Sequence, residues 1–324
     1  MGRRGLLVAV LLSPLALLLA MPLISGPVRP GRRPVEAFRG SPPRGGPPAV
    51  VPSAAGVDPN LPLLVGDTRR LAARAIDDTA AADHAAALVA LGRRFVGTPA
   101  RSIPPGSTPP ERLVLDLTAV DPLSFIEQLL ALVNSRQVRT RTEAVDRYSD
   151  HVRRLRYGSG RVERCARLRH PRLWALSAAR RGYLVDLTPF LPGARQRRVP
   201  LEDLFPSLPV GTARGSGSGT PAACPSPGSA VLHLAQLPLE AVPAAAASLR
   251  SGDLFVFVGR APDRRADGIG LVDLERGRPG ALLVQPGRGV VRQPDLLKLA
   301  RSRPGTIAVV FLRPLPNADG RPDP

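Results

Sequence analysis

Lysine is almost absent from this chain. Of 45 basic residues, only Lys298 is lysine and the rest are arginine. Aromatic residues are also few: eight Phe, three Tyr and one Trp. That scarcity disfavours a protein that stacks single-stranded nucleic acid on aromatic platforms. Two cysteines, Cys165 and Cys224, cannot build a disulfide framework or a four-thiolate zinc site. Four histidines, scattered at 84, 151, 170 and 233, argue against a multi-histidine metal centre. No Gly-Lys-Ser/Thr phosphate loop occurs, and the glycines of residues 277–289 read as turns. No metal and no cofactor is expected.

What is abundant is arginine, glycine and proline. Basic residues outnumber the 26 acids, and the net charge is +19 over 324 residues. Such an excess can mark a partner made of nucleic acid, lipid or another anionic polymer. The arginines are spread along the chain rather than gathered in one tail. Arg, Ala, Gly and Pro rise together when a coding sequence is rich in G and C, so composition explains most of the excess. Glycine and proline number 31 and 38, without the triplet period of collagen. Hydrophobic residues at 44% are enough for a core.

The organisation reads from the N-terminus. Arg3 and Arg4 precede an apolar run over residues 6–24, the pattern of an export signal. The run is also long enough to span a bilayer. Residues 1–26 are therefore expected to be a signal peptide or an uncleaved anchor. Residues 27–66 carry ten prolines and are expected to be an extended, disordered linker. A folded domain over residues 67–315 follows, with a flexible Gly/Ser-rich insertion at 207–229 and a disordered tail at 316–324. Helical spacing appears across residues 67–95, 125–132 and 142–155. Later come short apolar runs bounded by Gly, Pro or charge: 183–187, 231–234, 254–258, 269–272, 281–284 and 306–312. Helices first and strands later is an α+β order.

Several motifs occur in a definite order. They are residues 91–99 (LGRRFVGTP), 111–117 (ERLVLDL), 121–127 (DPLSFIE) and 156–158 (RYG). Residues 167–174 (RLRHPRLW), 182–188 (GYLVDLT) and 251–253 (SGD) follow. In order and spacing this resembles the N-acetylmuramoyl-L-alanine-amidase-like family, a former domain of unknown function. That family is related to the NlpC-type papain-fold cysteine hydrolases of bacterial cell walls. The resemblance spans residues 67–315. It implies a papain-like domain, with N-terminal helices packed on an antiparallel sheet, in an exported protein of the periplasm or cell envelope.

The departures from the family pattern decide the functional expectation. The family's nucleophilic cysteine opens a helix, and the matching residue here is Pro122. The family histidine of the segment Arg-x-His-Tyr matches Arg169, unless a slip of one residue brings in His170. The strand that opens on the catalytic histidine resembles residues 268–271 (GIGL), which puts Gly268 at the base position. The following strand, 283–286 (LVQP), has Gln285 where the family carries another histidine. Proline offers no nucleophile, and glycine no titrating group. The resemblance thus implies a degenerate relative that binds peptidoglycan fragments or a protein partner. Asp121, Glu127, Arg156, Tyr157 and Arg167 are retained, and with Trp174 they either line a remnant groove or brace the fold. Two rival readings stay open. One is an active amidase or peptidase using Cys165 and His170, although Cys165 reads equally as a structural thiol or a disulfide partner of Cys224. The other is a basic protein that binds anionic polymers. Nucleic acid is not an expected partner, and membrane contact is expected only through an N-terminal anchor.

Overall fold

The structure is a computed structural model. It describes residues 61–101, 111–136, 140–204, 224, 229–260 and 268–316. The expected signal, most of the linker, nearly all of the insertion and most of the tail lie outside the described residues. Among the described residues, no helix is long and apolar enough to cross a membrane.

Strand β1 (Leu63–Leu64) precedes helices α1 (Thr68–Thr79) and α2 (His84–Arg94). Strand β2 (Val114–Leu115) then leads to α3 (Pro122–Asn134), α4 (Arg141–Arg156) and α5 (Pro171–Arg180). Strands β3 (Leu184–Asp186), β4 (Arg195–Pro200) and β5 (Val231–Pro238) follow, then a single turn of helix, α6 (Val242–Ala245). The chain continues through β6 (Leu254–Gly259), β7 (Gly268–Glu275), β8 (Arg278–Gln285) and β9 (Gly289–Gln293). It ends in α7 (Leu296–Ser302) and β10 (Thr306–Pro314). The α+β order read from the sequence is present.

The main sheet has the order β4-β5-β10-β6-β7-β8-β9, with β3 also on β10, and every pairing in it is antiparallel. Strand alternation gives it two apolar faces. Val256, Ile269, Leu271, Leu282, Val284 and Val310 meet helices α1 to α5 in one core. Phe255, Phe257, Val272, Leu283 and Phe311 meet α6 and α7 in a second. Gly270 is required between them, because a Cβ there would collide with the Phe255 ring and the Leu282 carbonyl.

Residues ahead of the expected boundary at residue 67 take part in the fold. Leu63 and Leu64 pair in parallel with Val114 and Leu115, so the last residues assigned to the linker are part of the fold. The single helical stretch read over residues 67–95 is two helices. Asp83 opens the second, its side chain accepting from the Ala86 amide at 2.8 Å.

Candidate functional site

Helix α3 is nearly all apolar and almost wholly buried from Ser124 to Asn134. Its start is fixed by a capping box. The Asp121 carboxylate accepts from the amides of Leu123 (3.0 Å) and Ser124 (2.9 Å), and the Ser124 hydroxyl accepts from the Asp121 amide at 2.9 Å. Pro122 is exposed in the first turn, where its missing N–H costs nothing. The Ser124 hydroxyl is thereby committed to the cap.

The turn before α3 is stitched to the sheet. Gly97 donates to the Val290 carbonyl and Val290 donates to that of Thr98, both at 2.9 Å. Val120 in turn donates to the Pro99 carbonyl at 3.0 Å. Position 289 must be glycine for this approach: its φ is +75°, and a Cβ would collide with the Thr98 carbonyl.

Beneath the start of α3 lies a buried charged network. Arg156 Nε donates to Glu127 at 2.8 Å, and its Nη1 donates to the Val114 carbonyl at 2.6 Å. The two side chains are 3% and 2% exposed. Burial raises the Glu127 carboxyl above its usual range, and Arg156 pulls it back. Next to this pair, Tyr157 and Arg167 both donate to Glu111 Oε1 at 3.2 Å. Arg169 is half-buried beside them. Burial and the neighbouring Arg167 lower its pKa. Glu111 Oε2, Arg156 Nη2 and Arg169 Nε and Nη2 have no hydrogen-bond partner.

The structure therefore brings together Asp121, Glu127, Arg156, Tyr157 and Arg167, five residues singled out in the sequence. Glu127, Arg156 and Tyr157 are enclosed, and their bonds hold α3, α4 and the strand at Val114 together. Trp174 is fully buried in the helical core and offers no ring face to solvent. Asp121, Arg167 and Arg169 are the members with surface exposure.

The positions matching the family's strand histidines are directed elsewhere. Gly268 pairs with Phe257, and a Cβ on it would lie 3.0 Å from Arg303 Nη2, on the side of the second core. Gln285 shares that side with Leu283, and its amide oxygen accepts from Arg288 at 3.3 Å. The residues of β7 and β8 that face the helices are the apolar Ile269, Leu271, Leu282 and Val284, and Asp273, whose buried carboxylate accepts from Arg93 of α2 and from Arg292, both at 2.6 Å.

Cys165 is bonded to Cys224, so it carries no thiol to act as nucleophile. His170 is buried as the N-cap of α5, where Nδ1 accepts from the Arg172 amide at 3.2 Å. His84 and His151 both lie by Asn134, at the far end of α3, and burial lowers each pKa to about 4. The helix between them and Pro122 is about 20 Å long. His151 Nδ1 also lies 2.6 Å from the Tyr183 hydroxyl. His233 is on β5. Among the described residues, no cluster of side chains is suited to hold a metal ion.

The disulfide, which the sequence left open, is the main feature of this region that spacing could not reveal. The pairing of Glu111 with Tyr157 and Arg167 was likewise invisible, because it joins residues 46 and 56 positions apart.

No protein-family model matches the chain, and no curated protein does. Solved structures do. An N-acetylmuramoyl-L-alanine amidase from Bacteroides uniformis superposes with a TM-score of 0.57 at 17% identity, over 71% of this chain and 98% of the other. Protein LPG0564 of Legionella pneumophila, from the DUF1460 family, gives 0.61 at 14% identity, over 76% and 94%. A putative xylanase from Bacteroides fragilis gives 0.53 at 19% identity, over 69% and 99%. At these identities the likeness is one of fold: helices on an antiparallel sheet, arranged as in amidase-like proteins.

Proposed function

We propose that this chain is an exported cell-envelope protein that binds peptidoglycan fragments without hydrolysing them. It is read as a degenerate member of the papain-like, NlpC-type amidases. The observation that carries the reading is the start of α3. A cysteine there would gain a lowered thiol pKa from the helix end. Instead Pro122 fills the first turn and the Ser124 hydroxyl is spent on the cap. On the helix-facing side of β7 and β8 the carboxylate of Asp273 is engaged by Arg93 and Arg292, and Ile269, Leu271, Leu282 and Val284 supply no base. The Cys165–Cys224 bond supports an oxidising compartment, in keeping with the export pattern at the N-terminus.

Binding falls to the half-buried members of the network. Arg169 reaches the surface beside Arg167, which is held on Glu111. A guanidinium is suited to the carboxylates of a stem peptide. Purified full-length protein is mixed with a muropeptide digest, and binding and product masses are followed together. Retention of intact muropeptides, weakened in Arg169→Ala, is the expected result. New cleavage products would sink the non-hydrolytic reading, and unchanged affinity in Arg169→Ala would remove the assigned contact.

A further inference from the structure

Phe190 is 83% exposed, the most exposed large apolar side chain among the described residues. It ends a short turn, Thr188–Phe190, and is flanked by exposed Pro189, Pro192 and Gly193. Strand β4 follows at once, with Arg195, Gln196, Arg197 and Arg198 all exposed. β4 pairs only with β5, and β5 reaches β10 only at Leu237 and Pro238. Residues 195–200 and 231–236 thus form a two-stranded ribbon that runs beyond the sheet. Alternation puts Arg195 and Arg197 on one face and Arg198, opposite His233, on the other.

Arg197 and Arg198 have no ion pair among the described residues. Arg195 lies 3.8 Å from Glu240, with both side chains 69% exposed. A pair that exposed holds its partners weakly and exchanges readily. Glu202 and Asp203, just after β4, already have partners of their own. Charges on an edge strand also prevent sheet-to-sheet association, which alone would account for the arginines. It does not account for a bare phenylalanine beside them, nor for Val231 at 42% exposure on the paired strand.

We propose that Phe190 and the ribbon arginines form a docking surface for an anionic membrane. Phe190 enters the headgroup layer, as aromatic rings at bilayer interfaces do. The guanidinium groups take lipid phosphates through charge-assisted hydrogen bonds. Each arginine near such a surface strengthens binding roughly fivefold, so Arg195 and Arg197, which share a face, contribute about twenty-fivefold at low salt. The sequence supplies a reason for a membrane to be near. The apolar run of residues 6–24, joined to the domain through the proline-rich stretch, would tether it beside a bilayer. This surface is separate from the region around α3 and does not depend on what binds there.

A local probe separates the ribbon from any tethering by the N-terminal run. The single tryptophan, Trp174, is fully buried, so Phe190→Trp in the full chain introduces one solvent-facing indole. Mixed phosphatidylglycerol and phosphatidylcholine vesicles are expected to shift its emission to the blue and expose it to brominated lipid. Pure phosphatidylcholine, or about 0.5 M salt, should abolish the shift. Adding Arg195→Gln and Arg197→Gln should raise the lipid concentration needed about twenty-fivefold, whereas the two Arg→Lys changes keep the shift. No shift on anionic vesicles would overturn the proposal. So would an equal shift on neutral vesicles, or one undiminished in the Gln variant.

Discussion

Glu127 and Arg156 show what the retained residues of the helical core do. Each is almost fully enclosed, and each is the other's charge partner. Removing one leaves a buried charge uncompensated, which costs about 3–5 kcal/mol, while replacing both with apolar groups of similar size is close to neutral. Glu127→Leu and Arg156→Met are therefore each expected to lower the urea midpoint strongly. The joint change Glu127→Leu with Arg156→Met should recover most of the loss. Equilibrium unfolding of the three variants measures this, and additive losses in the double variant would show that the pair does not act as a unit. The pair also carries the link from α4 to the Val114 carbonyl, so its effect on any bound ligand is exerted through the position of α3.

At the scale of elements, the disulfide is the one covalent link between distant segments among the described residues. It joins positions 59 residues apart and ties the short turn Arg164–Ala166 to Cys224, ahead of β5. A loop of that length implies about 4 kcal/mol in the chain-entropy account, and measured values more often fall at about 2–4. Cys165→Ala with Cys224→Ala is expected to lose that much, and the reduced wild type should match it in thermal melts. A melting temperature unchanged by reductant would mean that the bond contributes nothing. The elements the sequence disclosed are those with a strong period or a clear boundary. Helix α3 announced itself through Asp121-Pro122 and its apolar run, and α4 through its spacing. Strand β4 did not, because Arg195, Gln196, Arg197 and Arg198 show no alternation. Its partner β5 holds it in extended form instead. Helix α7 is only seven residues long and closes few turns on which a period can be read. The strand β7 was found, but which of its faces meets the helices was not. One residue of slip reverses that assignment, and only the pairing of Gly268 with Phe257 fixes it.

For the molecule as a whole, the two-faced sheet is expected, under the proposed function, to keep apart the pieces that hydrolysis would need together. The start of α3 belongs to the helical side, and position 268 looks toward α7 and the second core. Pro122→Cys would place a thiol at a helix N-terminus, where its pKa falls and thiolate forms. That variant is expected to react quickly with iodoacetamide at neutral pH. It should still leave muropeptides intact, because Asp273 is engaged by Arg93 and Arg292 and the other side chains facing the helices from β7 and β8 can take no proton. Adding Gly268→His should not help. The new imidazole would point at Arg303 and Phe257, and crowding that core is expected to cost about 1–3 kcal/mol. Mass spectrometry of the digest, with melting curves of both variants, measures these outcomes. Turnover by the double variant, with stability undiminished, would mean that position 268 reaches the helical side after all. The proposed inactivity would then rest on two substitutions rather than on the arrangement of the sheet.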